Sequence, residues 1–158
     1  MRVPSWLFSS LLPLSFWSTR DRARSALIGR PLMRTFGAAT LWLRAGRRQD
    51  SVEAIAKEWQ RMFPDSSAHP LTRIDDETIQ GEIHVHCPYR GTGNVEGCYR
   101  MMEYDRRMME RIGGEFVVLR SQAEPGVTSC QVAIRRAGAR MEDLVPAHVR
   151  AGARDRDH

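Results

Sequence analysis

The 158-residue chain has no run of about twenty apolar residues, no Cys-x-x-Cys pair, no internal repeat and only three cysteines. Without the first, no segment is long enough to cross a bilayer as a helix; without a repeat, a solenoid or propeller is excluded. An odd number of cysteines cannot form a fully paired disulfide framework, and a chain of this length can bury a core without one. Reduced thiols and a cytoplasmic setting are the expectation. The first seventeen residues carry Trp6, Leu7, Phe8, Leu11, Leu12, Leu14, Phe16 and Trp17, but a single basic residue before the run, Pro4 and Pro13, and the want of a small-residue cleavage site argue against a signal peptide. Pro13 is expected to break a continuous helix there. Residues 1–18 are read as an apolar segment that packs on the domain, with a weak membrane-surface contact as its other role.

The net charge is +5, carried almost wholly by arginine. Scattered through residues 20–48, 100–111 and 135–156 and interleaved with acids, these arginines describe a solvated surface better than a nucleic-acid footprint. Nucleic acid is therefore disfavoured as a partner, a small molecule is favoured, and homo-oligomerisation is left open.

The hydrophobic period divides the chain. Ala23, Leu27, Ile28, Leu32, Met33 and Phe36 predict a helix kinked at Gly29 and Pro31, resuming through Leu41 and Leu43 to Gly46. Ser51 caps a second helix whose apolar face includes Ile55, Trp59 and Phe63. The period then falls to two, predicting strands at 71–74 and 78–87, with Ile79, Ile83 and Cys87 on one face and His84 and His86 on the other. A long helix is expected over 94–112, then strands at 116–122 and 128–135 turned at Pro125-Gly126. The fold class is thus α+β: N-terminal helices packed with a central helix on a small antiparallel sheet of about four strands, one domain over 19–136. Residues 137–158 read as a mobile charged tail.

Chemistry concentrates between Cys87 and Cys130. In the central helix Cys98, Met101, Met102, Met108, Met109 and Ile112 share a stripe, and Asp105 lies in its middle. A carboxylate so placed needs a donor, a cation or a proton, and is either a buried structural group or part of a site. Cys87, Cys98 and Cys130 are read first as core residues, with pocket lining or a nucleophile as the alternative. Zinc would need His84 or His86 as a fourth ligand, so metal ligation and cofactor stay undecided. Arg120 and Gln122 would share a face of a regular strand and form a clamp for a carboxylate, unless a bulge moves them.

The series His86-Cys87-Pro88-Tyr89, Asp105 on a helix, Leu119-Arg120-Ser121-Gln122 and Gly126 before Cys130 resembles the L-2-amino-thiazoline-4-carboxylic acid hydrolase family, over roughly residues 20–136. One departure is Met102, where the family pattern has a cysteine three residues before the acid; a thioether cannot act as a thiolate. The resemblance implies hydrolytic opening of a cyclic amidine C–N bond in a small carboxylate substrate. Asp105 would be the base, Cys87 or Cys130 pocket lining or nucleophile, His86 a reserve acid, Arg120 and Gln122 the substrate clamp, and Cys98 a pocket residue. The rival expectation is a small-molecule binding or sensor domain using the same apolar pocket. A third is a membrane-peripheral scaffold anchored through Trp6 to Trp17.

Overall fold

A computed structural model describes the backbone of residues 5–154 and the side chains of residues 11–153. The side chains of Trp6, Leu7 and Phe8 lie outside the described residues. The helical half comprises α1 (Ser5–Thr19), α2 (Arg22–Arg24), a π-helical turn (Ser25–Gly29), α3 (Arg30–Leu43) and α4 (Val52–Arg61). A four-stranded antiparallel sheet follows, built from β1 (Leu71–Ile74), β2 (Ile79–Ile83), β3 (Gly114–Arg120) and β4 (Cys130–Arg136) in the order β1-β2-β4-β3. Helices α5 (Val95–Met101) and α6 (Glu103–Ile112) connect β2 to β3, and α7 (Ala147–Arg154) follows β4. The expected α+β architecture is the one observed.

Several boundaries differ, each for a local reason. Pro13 sits inside α1 and does not end it. Hydroxyls from Ser15 and Thr19 bond back to the carbonyls of Leu11 and Ser15 at 2.8 and 2.6 Å in the following turns. The expected kink at Gly29-Pro31 is the π turn: Pro31 has no N–H to give, and Arg30 N–H reaches the Ser25 carbonyl. Gly29 lies against α1 so closely that a Cβ would stand 2.4 Å from the Ser18 oxygen. The long helix expected over 94–112 is interrupted at Met102, where the Tyr99 carbonyl accepts from Arg106 Nη2 at 2.7 Å.

The second strand stops at Ile83 rather than running to Cys87, because Gln122 and Ala68 take over the backbone groups beyond it. Within 137–158, the stretch read as a mobile tail, the described residues carry α7. Ala147 is buried there, His148 stacks on Tyr99 with centroids 3.7 Å apart, and Arg150 donates to the Leu119 carbonyl at 2.8 Å. Glu103 is buried because α3 lies across α6, and Arg34 and Arg106 bond it at 2.8 and 2.9 Å.

The core joins α4, α6 and the sheet through Ile55, Trp59, Ile79, Met108, Ile112 and Ile134. Its edge opens into the cavity described next.

Candidate functional site

The end of α1 is held where it can wall a cavity. Tyr89 Oη bonds Thr19 Oγ1 at 2.8 Å and the Phe16 carbonyl at 3.2 Å, and its ring lies 4.7 Å from that of Phe16. Arg100 adds bonds to the carbonyls of Thr19 and Arg20 at 2.9 and 3.0 Å. Between α1, α3, α5, α6 and the chain leaving β2 lies a cavity of about 250 Å³. Its walls are mostly aliphatic and aromatic. Its chemically active members are His69, His86, Cys87, Cys98, Asp105 and Cys130.

Asp105 reaches this position on the inward stripe of α6, beside Met108 and Met109. Its Oδ1 accepts from Trp59 Nε1 at 2.9 Å. Burial pushes the carboxyl up to about 6, against the opposing pull of that donor, of the nearby Arg106 charge and of its own backbone N–H. At neutral pH it is mostly ionised yet close enough to its pKa to exchange a proton.

The three thiols come from three elements: Cys87 from the loop after β2, Cys98 from α5 and Cys130 from the start of β4. Cys98 is the hub. Interaction with the thiols of Cys130 and Cys87, together with burial, pushes its pKa well up. The same interactions lower the other two. Cys98 stabilises the Cys87 thiolate against the cost of burial, helped by the Tyr89 amide and Arg90. Cys130 is likewise lowered by Cys98 and by the Gln122 N–H, which lies 3.3 Å from its sulfur.

His69 was not singled out from sequence. A 3-10 turn (Ser66–Ala68) folds it inward, where it stacks on Phe63 at 3.7 Å and meets Trp59 edge-on. Burial pushes its pKa down to about 4. Its Nδ1 lies 3.1 Å from the Asp65 carbonyl, which requires a proton on Nδ1 and leaves Nε2 as an acceptor in the neutral ring. No periodicity marks it, since a short turn between Pro64 and Pro70 carries none.

Arg120 and Gln122 do not form a clamp. The pairing of β3 with β4 shifts register between Val118 and Arg120, so Arg120 is exposed and lines a separate surface depression beside Glu124 and Arg150. Gln122 borders the cavity, but its amide is spent on structure: Nε2 donates to the carbonyls of Ile83 and Val85 at 3.1 and 2.9 Å, and Oε1 accepts from Arg90 Nε at 2.8 Å. His86 is exposed at the cavity rim, whereas exposed His84 pairs with Glu82 at 2.7 Å.

No family model matches the chain, and neither a curated protein nor a solved structure matches it significantly. The resemblance to the thiazoline-carboxylate hydrolases therefore rests on the quoted residues alone. Among the described residues no group of three His, Cys, Asp or Glu is arranged to hold a metal ion, although three thiols share one cavity. No Lys or Arg lines the cavity among those residues either. What the arrangement offers is one proton-exchanging carboxyl, two imidazoles and three mutually coupled thiols in a mostly apolar cavity.

Proposed function

We propose that this cavity binds a small apolar molecule carrying N–H donors and hydrolyses its C–N bond, as the resemblance to cyclic-amidine hydrolases implies. The observation that carries the proposal is a buried carboxyl poised at about 6 in the same cavity as Cys87 and Cys130. An amidine N–H would add a donor to the Asp105 carboxylate beside Trp59 Nε1. Among the described residues the carboxylate of the family substrate finds no cation in the lining, so the proposed substrate class is the amidine without it.

In this scheme Asp105 takes a proton from water as the oxygen attacks the amidine carbon. The ring C–N bond then breaks, and the departing nitrogen receives that proton from Asp105. The net change is addition of one water across the C–N bond. Cys87, with its lowered pKa, is the alternative nucleophile, and His86 at the rim a reserve acid.

The test incubates the reduced full-length protein with 2-amino-thiazoline-4-carboxylate and with its decarboxylated analogue, following ring opening by mass spectrometry. Turnover of the analogue, lost by about a hundredfold or more in Asp105→Asn, supports the scheme. The second proposal, a binding or sensor domain, is favoured by the predominance of apolar lining. It predicts a ligand-dependent rise in Tm without turnover.

A further inference from the structure

Charge is unevenly divided along the chain. The first 48 residues hold nine arginines and a single acid, Asp21, whereas the rest of the chain holds fifteen basic and eighteen acidic residues. The fold arranges this basic stretch around an uncovered apolar strip. At about 100° per residue, Pro31, Thr35, Ala38 and Trp42 fall within one narrow arc of α3, and Leu27 and Ile28 precede them in the π turn. All six are exposed and none is charged. Leu27 and Trp42 are 80% and 81% exposed, against 38–54% for the other exposed large apolar side chains of the described residues.

The other faces of α3 are occupied. Gly37 and Leu41 are buried on one side, with a Cβ on Gly37 falling 2.7 Å from the Tyr104 carbonyl oxygen, and Met33, Phe36 and Thr40 wall the cavity. The outer strip is about 22 Å long from Leu27 to Trp42. Exposed arginines bracket it, Arg20, Arg22 and Arg30 at one end and Arg47 and Arg48 at the other. An uncharged strip with an aromatic at its end and cations at both ends is the pattern of a helix lying in a lipid interface.

We propose that the outer face of α3 docks on an anionic lipid surface, with Leu27 and Trp42 at the boundary between headgroups and acyl chains and the flanking arginines on lipid phosphates. Charge selects this occupant. A second copy of the chain would bring two arginine-bracketed faces together, whereas an anionic leaflet neutralises them. The same helix walls the cavity through Met33 and Phe36, so docking sets the cavity beside the lipid.

The test is co-sedimentation of the full-length protein with vesicles of phosphatidylcholine and phosphatidylglycerol, compared with phosphatidylcholine alone. The wild type is expected on the anionic vesicles only, with binding weakened by high salt. Leu27→Glu and Trp42→Glu should each weaken binding about tenfold, while Ile74→Glu, at an exposed apolar position on β1, leaves it unchanged. All three sites are exposed, and unchanged circular dichroism confirms that the fold is kept. Failure to bind anionic vesicles overturns the proposal, as does equal binding by the two α3 variants or an equal loss in Ile74→Glu. A wild-type dimer that Trp42→Glu dissociates also overturns it, because the strip is then covered by a second copy.

Discussion

The indole Nε1 of Trp59 donates a 2.9 Å hydrogen bond to Oδ1 of Asp105, tying α4 to α6 through a polar contact buried in an otherwise apolar core. Because burial raises Asp105 to about 6, the folded state holds its proton more tightly than the unfolded chain does. The resulting stability is fully present below the ordinary carboxyl pKa near 4 and is lost as pH rises through 6, by about 3 kcal/mol. Urea unfolding from pH 4 to 7 should therefore show Asp105→Asn gaining on the wild type as pH rises. Trp59→Phe should steepen the wild-type decline by removing the indole donor.

His69 moves in the opposite sense. Its folded pKa of about 4 lies below the ordinary histidine value, so the stability from keeping it neutral is present above about 6.5 and lost as pH falls through 4. NMR titration of its ring protons should show a midpoint near 4 and little change above pH 5.5. A midpoint near 6.5 would mean that the ring is solvated rather than stacked on Phe63.

Cys98 sets the acidity of its two neighbours. Cys98→Ala removes the thiol that stabilises Cys87 and Cys130 as thiolates, so both pKa values should rise. Alkylation of Cys87 by iodoacetamide at pH 8, followed by peptide mass spectrometry, should slow on the order of fivefold, the equivalent of one ordinary hydrogen bond. Cys98→Ser retains a donor and should recover much of the rate.

Gln122 holds the chain that leaves β2. Gln122→Leu strips donors from the carbonyls of Ile83 and Val85 and an acceptor from Arg90, at a fully buried position. A loss of about 2–4 kcal/mol is expected from the urea midpoint, with the m-value unchanged.

The elements that sequence reveals best are those whose signal is local. Ser51 caps α4 and Asn94 caps α5 through side-chain bonds to Ala54 N and Gly97 N, as their positions before apolar helical runs imply. Gly113, at φ 97°, closes α6 in the left-handed conformation that its place after the stripe suggests. The stripe itself, with Asp105 between Met102 and Met108, turns inward because its period matches the helix. Less legible were features set by distant partners. Arg120 leaves the site through a register shift against β4, Glu103 is covered by α3, and His69 is folded in by a turn with no periodic signature.

Sequence alone determined the α+β class, the inward stripe of α6 and the presence of a buried acid, because helix and strand periods and caps act over a few residues. Tertiary structure decided that Cys87, Cys98, Cys130, His69 and Asp105 meet in one cavity and that Arg120 does not. Those five side chains come from separate segments spread over more than sixty residues, and only the packing of α1, α3 and α6 against the end of β2 brings them together. Once they share an apolar enclosure, desolvation and mutual hydrogen bonding set their acidities, and neither acts until the chain has folded.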